Sequence, residues 1–238
     1  MRTGARGPML SELFGLVKGA DSVELRLAVC DVRRQPAIST LEVDPFDAEI
    51  RQVYFFDTPE LALDRLGLMI CARSSQSEGM QGDSMMKLRS TAPGSMPADA
   101  DLGIETMPGG YVCSGAIRRR TRNEQIRAAV LGEQPLHTLF TWRQQEFFVE
   151  YAPPWVALDG LSAIGPVTVL ELGLEPAELK RRLALELWNY PDDPRLLEFS
   201  TRISPEEMID ATAQTSHFLR GKGLSVEGAV EGAVPAVP

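Results

Sequence analysis

Apolar and polar residues alternate strictly in the segment SVELRLAV at positions 22–29. A period of two is that of a β-strand, in which successive side chains point to opposite faces. One face of this strand is apolar. The other places Glu24 and Arg26 side by side, so that a carboxylate and a guanidinium two residues apart share a face. The segment therefore predicts a strand with one apolar and one charged side.

The same alternation returns at 67–73, 85–89, 182–187 and 197–203, and more weakly at 103–105, 114–118 and 171–173. The polar faces of these segments together carry the cations Arg26, Arg73, Lys87, Arg89, Arg118, Arg182 and Arg202. They also carry the carboxylates Glu24, Glu105, Glu171, Glu186 and Glu198. Periodicity alone favours an antiparallel sheet with one solvated face. The alternative is a closed barrel of about eight strands whose charged faces point inward around one small ligand.

Strands and helices both appear in the rest of the pattern, which predicts an α+β fold. A second strand is expected at 49–56, and three strands are expected between 167 and 203. Helices are predicted at 59–66, 122–131, 136–151 and 204–221, with Thr58 and Ser204 as N-caps. Loops rich in Ser, Gly and Pro are predicted at 74–84 and 91–100. A short amphipathic helix is expected within 1–20. The tail at 225–238 repeats Val-Glu-Gly-Ala and predicts disorder.

The composition limits the classes of partner. A net charge of −9 over 238 residues argues against a general nucleic-acid or anionic-membrane surface, although a cavity can still concentrate cations locally. Three widely spaced cysteines lack metal or redox spacing, and buried thiols in a reducing compartment are expected. No apolar run approaches the ~18 residues of a transmembrane span, and no secretory signal is evident. We therefore expect a cytoplasmic protein, with its oligomeric state left open.

Several motifs occur in a specific order along the chain. Ser22, Glu24 and Arg26 align with an N-terminal E-x-E-x-K strand. A Tyr-Phe-Phe-Asp strand end at 54–57 precedes a short helix and Gly67, and a Lys-Leu-Arg strand follows at 87–89. Late in the chain, LALELWNYPDDPRLLEFSTRI at 183–203 contains an E-x-W strand and an E-x-S-x-R strand. From about Asp21 to Leu224 the chain resembles the CYTH superfamily, or triphosphate tunnel metalloenzymes, which includes class IV adenylate cyclases and thiamine triphosphatases. Segments 107–117 and 164–172 are similar to a bacterial branch of it.

This resemblance implies an antiparallel closed β-barrel of about eight strands, of the triphosphate-tunnel type, with flanking helices. It divides the chain into an N-terminal extension (1–20), a tunnel domain (21–224) and a disordered tail (225–238). It implies metal-dependent hydrolysis of tripolyphosphate or a small organic triphosphate with Mg²⁺ or Mn²⁺. Adenylate cyclase activity is less favoured, because nothing in these strands selects an adenine base.

The resemblance also assigns roles to residues. The catalytic residues would be Glu24, Arg26 and Lys87. Phosphate would be bound by Arg26, Arg73, Lys87, Arg89, Arg118, Arg182 and Arg202. The metal ligands would be Glu24, Glu105, Glu186 and Glu198.

The chain departs from the family pattern at four positions of the site. Ser22 replaces the first hallmark glutamate, and Cys71 replaces a tunnel arginine. Gly103 stands where the bacterial branch has an acidic residue, and Glu171 stands where it has a lysine. These departures keep open a second hypothesis from a different class, namely a catalytically degenerate tunnel that binds a phosphorylated ligand or a protein partner.

Overall fold

The structure, a computed structural model, describes residues 22–29, 41, 43–76, 81–90, 100–107, 110–190 and 196–224. For residues 28, 29, 45, 90, 102–107, 110 and 111 the description covers the backbone alone. The predicted N-terminal helix, the predicted disordered tail, most of the 91–100 loop and Cys30 lie outside the described residues.

Nine strands form the body of the described chain, one more than the predicted eight or so. They are β1 (Ser22–Val29), β2 (Glu49–Asp57), β3 (Leu68–Ser75), β4 (Gly82–Ser90), β5 (Asp101–Met107), β6 (Gly110–Thr121), β7 (Ser162–Leu174), β8 (Leu183–Asn189) and β9 (Leu196–Ile203). Three α-helices accompany them: α1 (Asn123–Val130), α2 (Trp142–Tyr151) and α3 (Met208–Gly221). The predicted α+β class is confirmed. No helix in this part of the chain is long and apolar enough to cross a membrane.

The strands form one strongly curled, barrel-like sheet in the order β1-β5-β6-β4-β3-β2-β7-β8-β9. Strand β1 also pairs with β9, in an antiparallel ladder from Val23↔Ile203 to Val29↔Leu197. The pairing of β1 with β5 is parallel and covers only four residue pairs, from Ser22↔Gly103 to Leu25↔Thr106. The prediction of a purely antiparallel sheet is therefore wrong at this junction. Local alternation fixes which face a side chain occupies, but it does not fix the direction of the neighbouring strand.

The apolar faces of the strands point outward and are covered by helices. One core cluster packs α1, α2 and their connections against β2, β3 and β4, around Ile70, Met86 and Phe147. A second cluster packs α3 against β1, β8 and β9, around Leu27, Phe199 and Leu219. Because the outward faces bury the core, the charged faces of these strands are directed into the interior of the curled sheet. The arrangement with one solvated outer charged face is wrong.

Two predicted helices are shorter than expected. The 136–151 segment is divided into a 3-10 turn (Leu136–Leu139) and α2, because Thr141 caps α2 by accepting a hydrogen bond from the N–H of Gln144 at 3.2 Å. The 204–221 segment begins with a 3-10 turn (Pro205–Glu207) before α3. The 59–66 segment contains turns and a 3-10 helix at Asp64–Leu66 instead of an α-helix.

The turn after β2 is organised by the buried carboxylate of Asp57. It accepts hydrogen bonds from the backbone N–H groups of Thr58 at 2.6 Å, Leu63 at 2.9 Å and Asp64 at 3.0 Å. The turn ends at Gly67, whose φ of 75° suits glycine. The carbonyl of Gly67 then accepts a hydrogen bond from the N–H of Arg89 at 2.8 Å. Asp57 is thereby connected through the backbone to a strand that lines the interior.

Candidate phosphate-binding cavity

A cavity inside the curled sheet is lined by side chains from eight strands or their ends. Its charged lining consists of Arg26, Arg73, Lys87, Arg89, Arg118, Glu186 and Glu198. Five of the seven predicted phosphate-binding cations are therefore brought together from β1, β3, β4 and β6. Two of the four predicted metal-binding carboxylates also line the cavity, and Glu24 contacts it through Arg26.

An apolar wall occupies another side of the same cavity. Phe55, Met69 and Val167 contribute to it, and the rings of Trp188 and Tyr190 stack with centroids 6.2 Å apart. Sequence reasoning missed this wall, because the roles were assigned from charged positions alone. The signal was available in β2, where Val53 and Phe55 share a face with the charged Arg51. The cavity is thus cationic on one side and apolar on the other.

Arg26 lies at the centre of a charged cluster on β1 and β9. Its Nη1 donates a hydrogen bond to Glu198 Oε1 at 3.1 Å, and its Nη2 donates to Glu24 at 3.3 and 3.4 Å. Burial raises the pKa of Glu198, an effect that Arg26 partly opposes and that Glu186 reinforces. Burial also acts to raise the pKa of Glu24, but Arg26 and Lys87 outweigh it and the net shift is downward. Arg26 is therefore the main counter-charge of both carboxylates.

Lys87 is the most buried cation of the cavity, with 3% of its surface exposed. Burial lowers the pKa of Lys87 well below its usual value, and the nearby positive charges of Arg26 and Arg89 lower it further. Burial and Arg26 likewise lower the pKa of Arg89, to about 10. The fold thus brings like charges together in a buried place, which costs free energy in the absence of an anion.

Arg73 is engaged by an acidic residue that sequence reasoning missed. Its Nε donates to Asp83 Oδ1 at 2.8 Å, and its Nη2 forms a second bond to the other oxygen of the same carboxylate. The two residues are direct partners across β3 and β4. Beside them, burial raises the pKa of Cys71 to about 11, so that this thiol is protonated and inert near neutral pH. The predicted burial of Cys71 and Cys113 is confirmed.

Four glutamates stand directly opposite one another across four neighbouring strands. Glu49 pairs in register with Glu171, Glu171 with Glu186, and Glu186 with Glu198. Like charges in directly opposed positions are destabilising, so this carboxylate row needs compensation. Arg51 supplies it at one end, with Nη2 3.0 Å from Glu49 and Nε 3.2 Å from Glu171. The Glu-x-Arg spacing of Glu49 and Arg51 repeats that of Glu24 and Arg26, a signal that sequence reasoning overlooked.

The remaining predicted site residues lie away from the cavity lining. Arg202 is exposed and donates from Nε to Ser22 Oγ at 2.9 Å. Arg182 precedes β8, is exposed, and its guanidinium lies against the backbone of Gly173. The backbone of Glu105 pairs with that of Glu24, while its side chain lies outside the described residues. Gly103, also on β5, pairs with Ser22.

A second, more open depression adjoins the cavity. It shares Arg73 and Arg118 with the cavity and adds Arg51, Arg119 and Arg120. Clustered charges of one sign at an opening raise the local concentration of oppositely charged solutes. An anion could therefore enter the cavity through this arginine-rich depression, which forms the mouth of the cavity.

Comparison with known proteins rests on structure, because no protein-family profile and no curated protein matches the sequence. HpAC1 from Hippeastrum, a proposed adenylyl cyclase for which a dominant triphosphatase activity is described, superposes with a TM-score of 0.63 at 15% identity, covering 89% of this chain and 93% of its own. A proposed adenylate cyclase from Bacillus halodurans superposes with a TM-score of 0.61 at 13% identity, covering 91% and 98%.

The chain shares its fold with these two structures, as its resemblance to the CYTH superfamily predicts.

Within the cavity, the carboxylates do not fit a divalent metal as they stand. Mg²⁺ and Mn²⁺ require several oxygen ligands directed at one point. In the described part of the chain, no three acidic, histidine or cysteine side chains form a group that could hold a metal ion. The guanidinium of Arg26 lies between Glu24 and Glu198, and Glu186 accepts a hydrogen bond from Trp188 Nε1 at 3.0 Å.

Proposed function

We propose that the protein binds a small phosphorylated ligand of the triphosphate or polyphosphate class in the cavity. The supporting observation is the convergence of Arg26, Lys87 and Arg89 in a buried lining, together with Arg73 and Arg118 nearer the mouth. Such a cluster of like charges is costly unless an anion compensates it, and a polyphosphate carries several negative charges along one chain of atoms. The whole lining lies within the predicted tunnel domain, 21–224.

The test is isothermal titration calorimetry of the full chain with tripolyphosphate, pyrophosphate and orthophosphate. We expect affinity to increase with the number of phosphates, because longer ligands contact more of the cations. Arg89→Gln should weaken tripolyphosphate binding by about tenfold, roughly the contribution of one hydrogen bond to a charged group. The matched control is Arg127→Gln on the exposed side of α1, which should bind like the parent protein.

Two results would contradict the proposal. One is the absence of tripolyphosphate binding by the folded protein at millimolar ligand. The other is equal affinity of the Arg89→Gln and Arg127→Gln variants, which would place the ligand elsewhere on the surface.

Metal-dependent hydrolysis of a triphosphate is the second candidate. It is favoured by the triphosphatase activity described for HpAC1 and by the position of Glu24, Glu186 and Glu198 beside the cations, and it requires that a metal first displace Arg26 from Glu24 and Glu198. The corresponding assay measures phosphate release from tripolyphosphate, ATP and thiamine triphosphate with Mg²⁺ or Mn²⁺, and with chelator. Chelator-sensitive release that is lost in Glu198→Gln would establish this candidate. If tripolyphosphate binds but no phosphate is released, the binding proposal stands and the hydrolysis candidate fails.

A further inference from the structure

Arg26 holds together carboxylates that would otherwise repel one another. Glu186 and Glu198 are direct cross-strand partners on β8 and β9, and Glu24 faces the same interior from β1. Glu24, Glu186 and Glu198 each contribute to the electrostatic field at the guanidinium of Arg26. Two of them accept its hydrogen bonds, at 3.1 Å for Glu198 and 3.3 Å for Glu24. A positive charge is required between these carboxylates, and the side chain of Arg26 provides it.

A guanidinium fits this position well. It is planar, carries its charge over three nitrogens and offers five N–H donors, so it can bridge carboxylates on two strands at once. A second arginine has the same role, since Arg51 bridges Glu49 and Glu171 at the other end of the carboxylate row. Two arginines thus compensate a row of acidic side chains, one at each end.

The oxygen ligands that a metal would need are already engaged. Ser22 offers a neutral hydroxyl, and that hydroxyl accepts a hydrogen bond from Arg202 Nε at 2.9 Å. Glu186 accepts from the indole of Trp188. A divalent ion entering between Glu24 and Glu198 would have to displace Arg26, whose positive charge would then be left in a buried, cationic environment beside Lys87.

We infer that the guanidinium of Arg26 occupies the place of a divalent cation among the tunnel carboxylates, so that phosphate binding in this protein requires no metal. The inference about metal-free ligand binding rests on the proposed function, whereas the inference about the carboxylates does not. Arg26 neutralises much of the charge of Glu24 and Glu198, so the anion meets a lining in which the positive charge of Lys87 and Arg89 outweighs that of the nearby carboxylates.

The experiment has two independent arms. In the first, Mn²⁺ alone is titrated into the protein and bound ion is measured by electron paramagnetic resonance. The parent protein should bind Mn²⁺ no more tightly than about 1 mM. Arg26→Gln frees the carboxylates and should bind one Mn²⁺ at least tenfold more tightly. Arg127→Gln on the surface of α1 is the control and should behave like the parent.

In the second arm, tripolyphosphate binding to the parent protein is measured in chelator and in dilute Mg²⁺. The expected dissociation constants agree within about threefold. A loss of tenfold or more in chelator, or tight stoichiometric Mn²⁺ binding by the parent, overturns the inference.

The two proposals fail in different ways. If tripolyphosphate does not bind under any condition, the proposed function fails, but the Mn²⁺ arm still decides the role of Arg26. If folded Arg26→Gln gains no Mn²⁺ affinity, the inference is overturned even when tripolyphosphate binds. Circular dichroism checks the fold. Should Arg26→Gln fail to fold, the Mn²⁺ titration of the parent protein still tests the inference, because tight stoichiometric binding by the parent overturns it.

Discussion

Replacing Lys87 by methionine is expected to weaken ligand binding strongly and, at the same time, to stabilise the free protein. Lys87 is 3% exposed and lies beside Arg26 and Arg89, so its charge is disfavoured both by burial and by repulsion. Methionine has a similar length and carries no charge. We expect the free energy of unfolding at pH 7 to rise by about 1–2 kcal/mol, and tripolyphosphate binding to weaken by about 100-fold.

The pH dependence of stability distinguishes the removal of a buried charge from a simple improvement in side-chain packing. The pKa of Lys87 is lower in the folded than in the unfolded chain, so between those two values the unfolded chain binds a proton that the folded chain has released. Stability therefore rises with pH across this window, by up to about 1.4 kcal/mol per pH unit, and the rise is complete above the unfolded pKa of about 10.4.

Urea denaturation between pH 6 and pH 10 measures this slope. Lys87→Met should lose it, whereas Lys180→Met, at an exposed lysine outside the cavity, should retain it. A Lys87→Met protein that is less stable than the parent, with an unchanged pH slope, would show that the charge of Lys87 is well compensated in the free protein.

Substitution of Asp57 by alanine should have the largest effect on stability. The carboxylate accepts three backbone hydrogen bonds, from Thr58, Leu63 and Asp64, and it is 4% exposed. Alanine would leave buried N–H groups without an acceptor at a cost of about 1–3 kcal/mol for each, so we expect a total loss of about 3–5 kcal/mol. The melting temperature should fall by roughly 10 °C.

Two further variants make this test specific. Asp57→Asn retains one carbonyl oxygen and should lose about half as much stability as Asp57→Ala. Glu60→Ala changes an exposed acidic residue of the same turn and should cost less than about 0.5 kcal/mol. Thermal unfolding followed by circular dichroism gives all three values. Equal losses for Asp57→Ala and Glu60→Ala would mean that the turn is held by its apolar contacts alone.

The sequence was sufficient to predict which face of a strand each charged residue occupies. Alternation at 22–29, 85–89 and 197–203 depends only on local geometry, and Arg26, Lys87 and Glu198 do face the same interior. The sequence was insufficient to predict which side chains these residues contact. Whether Arg26 contacts Glu198 depends on the register between β1 and β9, which is determined by packing over the whole sheet.

The apolar wall and the additional ion pairs were missed for a related reason. Val53, Phe55 and Val167 have the composition of any buried strand, and only the curvature of the sheet makes their side the inside of a cavity. Asp83 lies in a segment predicted to be a loop, because the Ser- and Gly-rich stretch before it obscured the start of β4. Its pairing with Arg73 could not be predicted from that assignment.

The neighbouring positions of β1 and β9 have a consequence for how the protein is made. Arg26 and Glu198 are in contact but are 172 residues apart in the chain. During synthesis, every strand except β9 emerges from the ribosome before Glu198 does, so Arg26 must wait for this partner until 172 further residues have been added. The cavity is therefore completed by one of the last segments of the domain to appear. A ligand that contacts both β1 and β9 would hold together a strand that is made early in synthesis and one that is made late.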